Sequence, residues 1–449
     1  MVLFEFQDLN HTISFEEIRN RTITQVQQYY DRASYGRIKV RGDIVEGWRT
    51  LSLRVPFKML DVSQWNYNAD DMRLLDEQAV EKIKEIAPSY DYPLKFVVYA
   101  GGVWGHARGS GPLAGHCFQN EKSGLSTYLH ELGHLVGLPD MYSYEAARKD
   151  QYSGANVGAW DMMSTNTYAG DFNAWSKLRL GWIRDDQVID INEPSGRVFT
   201  VDALGNNSAS TLLLRVPKSP GKSYYVEVRE RIGPDMLLYR RIQTGVLIYI
   251  ITNSYDMREG GIVVVDSHPK SYSTSTPWAE LFDAPFGVGR NQTAALVDKD
   301  SYLSIVVLGK IGNSYRIMVG DSALGEAANE ANGVLSQAEE AIAKAVGEMR
   351  LSGLDQARSQ LREAYAAFGK TQFPVAVTSA KSAIQQANSA TKSTATGTSG
   401  TRTGSMTTLS TQQILLFIVL AAAISCIALF YLRSRKKHND VGSVSTGAK

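Results

Sequence analysis

Residues 123–142 read SGLSTYLHELGHLVGLPDMY, with two histidines four apart at their centre. On a helix His130 and His134 project from one face and can reach the same ion. Glu131 lies beside the first of them, where its carboxylate can hold a metal-bound water without ligating the metal, as a general base must. Gly137, three residues past His134, suits a positive-φ helix end that turns the chain sharply. That turn can bring back Asp140 as the third ligand. Glu145 and Asp161 compete for the same role, in which case Asp140 caps or braces a turn. Two imidazoles and one carboxylate leave a fourth tetrahedral position open to water, as in a catalytic zinc site, where the ion acidifies the water and polarises a scissile carbonyl. H-E-x-x-H alone can be no more than a solvated helix face. Its extension to H-E-x-x-H-x-x-G-x-x-D carries the metal reading.

The metal must be held by histidine and carboxylate, because the chain has only two cysteines, Cys117 and Cys426, too few for a cysteine-rich cluster or a disulfide scaffold. With 47 Lys+Arg against 46 Asp+Glu, no basic excess points to nucleic acid as a partner. A hydrophobic share of 43% supplies ordinary cores, and 449 residues allow several domains. Structural calcium is a candidate at the acidic pairs Asp70/Asp71 and Asp298/Asp300, beside the plainer reading of a helix start and a solvated turn.

Residues 1–190 alternate strand-like and helix-like segments and predict an α/β (α+β) catalytic domain. VLFEF (2–6) and LKFVVYA (94–100) read as strands, and GRIKVRGDIVEGW as further strands. The run from Ser14 to Ser34 reads as a helix opening on a Ser14–Glu17 capping box. Asp70 to Ile86 reads as another, with apolar spacing at Leu74, Leu75, Ala79, Ile83 and Ile86. Over 191–321 the period becomes two (TLLLRV, SYYVEVRE, GVLIYIIT, IVVVD, SYLSIVVL, SYRIMV), which predicts an all-β sandwich. Residues 322–390, rich in Ala, Glu and Gln, predict two or three antiparallel helices forming a stalk, and 391–413 a Ser/Thr/Gly tether.

HELGHLVGLPDMY, followed by GAWDMMS (158–164) and AWSKLRLGW (174–182), resembles the catalytic segment of the immune inhibitor A family of secreted zinc metallopeptidases. VLFEFQD, SYGRIKVRGDIVEGW, VWGHA and the run 224–250 fit less specifically, so the resemblance covers about residues 1–260. It implies a zincin-like, metzincin-like fold with His130, His134 and Asp140 on one catalytic Zn2+, and Glu131 as base. It also implies that Met163 is the methionine of a Met-turn, an apolar floor beneath the metal that ligates nothing. Tyr168 is a candidate donor to a developing oxyanion. His106 and His116 flank a glycine-rich loop and are candidate substrate contacts.

Ile414 to Leu432 form nineteen residues without a charge, long enough for a single transmembrane helix. Arg433, Arg435, Lys436 and Lys437 follow at once, so the positive-inside rule places 433–449 in the cytoplasm and the bulk of the chain outside the cell. MVLFEFQDLN carries no export signal, and the expectation is a leader and a pro-segment upstream of Met1. Together these features predict a membrane-anchored, outward-facing zinc endopeptidase acting on protein or peptide substrates. The competing reading is a non-catalytic surface binding or structural protein on a protease-derived scaffold.

Overall fold

Short apolar strands flanked by polar turns bury best when laid side by side, and the first 120 residues do this around a five-stranded sheet. The computed structural model describes residues 1–52, 69–86, 94–101, 106–108, 115–149, 151–164, 169–253, 260–271 and 276–392. Strands β1 (Val2–Phe6), β2 (Trp48–Leu51), β3 (Lys95–Tyr99), β4 (His106–Arg108) and β5 (His116–Asn120) stand in the order β2-β1-β3-β5-β4. The first four of that order run parallel, and β4 closes the β5 edge antiparallel. One face is covered by α3 (Ala69–Ile86) through Leu75, Ala79, Val80 and Ile83. Leu74, placed by its spacing on the apolar stripe, faces solvent instead.

The helix predicted from Ser14 forms in three parts: α1 (Phe15–Arg19), a π-helical turn over Asn20–Gln25, and α2 (Val26–Ala33). Ser14 Oγ accepts from Glu17 N at 3.2 Å, but Glu17 does not return the bond. Its carboxylate is taken by Arg21 at 2.8 Å, so only half of the capping box forms. The strands expected in GRIKVRGDIVEGW do not form before Trp48. Ile38 N is taken by Ser34 Oγ and Lys39 by Asp31, so the segment follows the end of α2 rather than a strand edge.

Where an all-β sandwich is expected, the chain forms two sheets that share a buried core. One sheet runs β11-β10-β9-β8-β6, from strands β6 (Val188–Asp190), β8 (Leu213–Ser219), β9 (Lys222–Arg229), β10 (Gly245–Thr252) and β11 (Ile262–Val264). The other runs β12-β13-β14-β7, from β7 (Arg197–Asp202), β12 (Ala295–Asp298), β13 (Leu303–Ile311) and β14 (Ser314–Gly320). Val226, Val228 and Ile248 of the first meet Ile305, Ile317 and Val319 of the second in one buried core.

Each sheet also buries its other face. Leu247, Tyr249, Ile251, Ile262 and Val264 join Leu129, Leu132, Trp160, Met162 and Met163 in a single core, so the sandwich and the histidine-bearing segment share an interior. On the far side, Val306, Leu308 and Met318 pack against Ala328, Ala331, Leu335, Phe368 and Phe373. Those residues belong to α7 (Ser322–Gly347), α8 (Leu354–Gly369) and α9 (Phe373–Ser389). The helices therefore do not form the expected free stalk. Their small-residue stripe allows close approach to a sheet face that would otherwise expose large apolar side chains. Beyond Thr391 and Lys392, the predicted tether, transmembrane helix and cytoplasmic tail lie outside the described residues, among which no helix is long and apolar enough to cross a membrane.

Candidate metal centre

The histidines ride on α4 (Leu125–Leu135), whose inner face buries Tyr128, Leu129 and Leu132. The chain leading into it is held from the π-helical turn: Arg21 Nη1 donates to the carbonyls of Glu121 and Ser123, both at 2.9 Å. From α2, Tyr30 Oη donates to Leu129 O at 2.7 Å. At the other end the chain forms a Schellman turn, with Leu138 N on Gly133 O and Gly137 N on His134 O, each at 3.0 Å. Gly137 sits at φ +103, a conformation that L side chains rarely adopt. The glycine expected from the spacing is thus required by the backbone.

That turn returns Asp140 to the histidines. Asp140 Oδ1 lies 3.0 Å from His130 Nε2 and 3.2 Å from His134 Nε2. Each imidazole is also held from behind. His130 Nδ1 pairs with Met162 O at 2.8 Å, and His134 Nδ1 with Leu138 O at 2.9 Å. Carbonyls only accept, so each Nδ1 carries a proton, and Nε2 is the ring nitrogen left to offer a lone pair to a metal. Among the described residues, these three side chains form the group of His, Cys, Asp and Glu able to hold a metal ion, with their ligand atoms within 4.8 Å of one another. Around a tetrahedral ion with bonds of about 2.0 Å, ligand atoms stand about 3.3 Å apart, and the two distances from Asp140 Oδ1 to the histidines lie close to that spacing.

The other carboxylates proposed for the third place are occupied differently. Glu145 is exposed and pairs with Lys149 at 2.6 Å. Asp161 is buried and accepts from Met163 N, Asn173 N and Ser176 Oγ, bracing the loop below the site. Burial pushes the Asp161 carboxyl above its ordinary pKa despite those bonds. Burial would raise Asp140 too, but hydrogen bonds with His130, His134 and Tyr144 hold it well below the usual carboxylate range. Glu131 is buried on α4, and its charge acts on both His134 and Tyr142.

Met163, which the resemblance makes the methionine of a Met-turn, packs against α4 at Gly133. A Cβ on Gly133 would fall 2.3 Å from Met163 Sδ, so the sulfur occupies the space that a side chain at 133 would need. Met163 O accepts from Met141 N at 2.7 Å, which ties the floor to the strand of chain carrying Asp140. His116 is buried on β5, stacked on Phe118. His106 is placed on the edge strand β4 opposite Phe118, and Tyr168 lies outside the described residues. The calcium expectation is not supported. Asp298 Oδ2 accepts from Lys218, Tyr224 and Ser301 Oγ, and its Oδ1 from Ser301 N, while Asp70 and Asp71 stand in the first turn of α3.

Sequence reasoning missed two groups. Tyr142 and Tyr144 follow Asp140 directly, and the Tyr144 hydroxyl donates to Asp140 Oδ2. The second group is a buried charge cluster reaching in from the sandwich. Arg229 bonds Asp235, Glu227 and Trp160 O, Asp235 accepts from Asp171 N, and Glu227 accepts from Ala174 N. Lys177 completes it on Asp171 at 2.6 Å, with both side chains fully buried. VEVRE gave no such signal: Glu227 and Arg229 alternate with Val226 and Val228 as on a strand with one solvated face, and only the fold buries that face as well.

Residues 107–180 match the family model of the immune inhibitor A peptidase M6, catalytic domain. The match is narrower than the resemblance read over residues 1–260, but it contains the three candidate ligands, Glu131 and Met163. No curated protein matches the chain.

Proposed function

We propose, with the metallopeptidase catalytic segment of the immune inhibitor A family as premise, that this chain is a zinc endopeptidase held at a membrane with its bulk outside the cell. The observation that carries the chemistry is the meeting of His130 Nε2, His134 Nε2 and Asp140 Oδ1, beside a buried Glu131. Two neutral imidazoles and one carboxylate are the donor set of a catalytic zinc site with room for a further ligand. Zinc bound there supplies Lewis acidity to the scissile carbonyl and acidifies water. Glu131 accepts the proton of the attacking water and delivers it to the nitrogen of the departing amine, so that one carboxylate serves as base and then as acid. Met162 O and Leu138 O keep the histidines in the required tautomer throughout. The uncharged run 414–432 and the basic residues after it support the anchor and its orientation.

Glu131→Gln in the full-length chain tests this reading. Casein hydrolysis should fall by about 100- to 10,000-fold, the usual worth of a positioned acid–base group, while bound zinc stays near one per chain. Unchanged hydrolysis would refute the role of Glu131. A wild-type chain that binds zinc yet cleaves no unstructured protein would favour the non-catalytic alternative.

A further inference from the structure

His130 and His134 are each oriented by a backbone carbonyl behind the ring. A carboxylate offers no such handle. Its terminal torsion is broad and roughly two-fold, and its two oxygens can bind an ion singly or together. Asp140 therefore needs an outside partner to present one oxygen only. The structure supplies one: Oδ1 faces the two histidines, and Oδ2 receives the hydroxyl of Tyr144. Tyr144 stands at the start of α5 (Tyr144–Arg148), half-buried, four residues beyond the carboxylate it holds. Its ring lies 5.4 Å from that of Tyr142 at an interplanar angle of 50°, and the Tyr142 ring lies 6.1 Å from that of His130 at 28°.

We infer that Tyr144, backed by Tyr142, is a positioning residue that fixes Asp140 as a one-oxygen metal ligand, a role parallel to that of Met162 O and Leu138 O for the histidines. The inference rests on the metallopeptidase reading and adds a residue to it. Tyr144 acts only through the ligand it orients. The pair is a device suited to aspartate in the third place, since a histidine there would present a ring nitrogen and leave the phenol nothing to hold.

The test is Tyr144→Phe in the full-length chain, which removes one oxygen and keeps the ring. Zinc affinity, measured by competition with a chromophoric chelator, should weaken by about 10- to 100-fold, the usual effect of losing a partner behind a ligand. The thermal midpoint of the metal-free protein should stay near that of the wild type. With Co(II) in place of zinc, the visible absorbance should fall as the released carboxylate binds through both oxygens and raises the coordination number. Tyr142→Phe should weaken zinc binding less than Tyr144→Phe. In an Asp140→His chain, adding Tyr144→Phe should change affinity no further. Unchanged zinc affinity and an unchanged Co(II) spectrum in Tyr144→Phe would overturn the inference while leaving the metallopeptidase reading intact. A wild-type chain that takes up no zinc would overturn both.

Discussion

The contact between Gly133 and Met163 makes a prediction in which two well-known effects have opposite signs. In an isolated helix, Gly133→Ala would stabilise by about 1 kcal/mol. Here the new Cβ would stand 2.3 Å from Met163 Sδ and 3.2 Å from its Cε. Non-bonded carbon contacts are comfortable at about 3.5–4.0 Å, so the sulfur must retreat by more than about 1 Å. It has no easy route. Met163 and Phe172 are fully buried, and the Met163 backbone is pinned by Asp161 and Met141. Overpacking of this kind costs about 1–3 kcal/mol, and a displacement beyond an ångström belongs at the upper end, so the net effect is a loss of about 2 kcal/mol. The histidines flank position 133, so lifting α4 off its floor should weaken zinc binding as well. Thermal unfolding of the metal-free protein and chelator competition measure the two effects. Adding Met163→Ala removes the obstructing sulfur and should recover part of the lost zinc affinity. If Gly133→Ala alone is as stable as the wild type or more so, the methionine does not pack on this glycine and the reasoning fails.

Two further predictions concern the supports around the site. Arg229→Met should destabilise the protein by about 3–5 kcal/mol in urea unfolding, because the buried Asp235 and Glu227 carboxylates would lose the cation they share; a change below about 1 kcal/mol would show the cluster to be incidental. The Glu121 carboxylate is raised by burial, but bonds from Gly101 N, Thr12 N, Ile13 N and Thr12 Oγ1 outweigh this and leave its pKa lowered. A lowered folded pKa gives stability that is present above the unfolded value near 4.5 and lost as pH falls through the folded value. Glu121→Gln should therefore flatten the acid side of the stability–pH curve below that point, and an unchanged curve would refute the assignment.

The meeting of His130, His134 and Asp140 was legible because it is local. Histidines four apart, a glycine at the turn and a carboxylate three beyond it all lie within a dozen residues, where helix geometry alone fixes who faces whom. The period-two strands were legible for the same reason. What escaped depended on distant partners. The segment after Ser34 has strand-forming residues, yet Ile38 N and Lys39 are taken by Ser34 and Asp31 at the end of α2. The stripe of α7 revealed an apolar face but not that a β-sheet would cover it. Tyr142 and Tyr144 carry no distinguishing pattern, since a tyrosine acquires its role only when a turn brings its hydroxyl to a particular oxygen. Arg229 reads as an ordinary strand charge until Trp160 and Asp171 are seen beside it.

The floor under His130 and His134 is closed on its far side by Leu247, Tyr249 and Val264, more than a hundred residues later in the chain. Excising the histidine segment at its own ends would strip that backing and leave oily side chains facing water. Anyone grafting this chemistry into another polypeptide would have to bring the neighbouring strands along, and a nick in the connection near residue 190 should leave the two pieces clasped rather than set one of them loose.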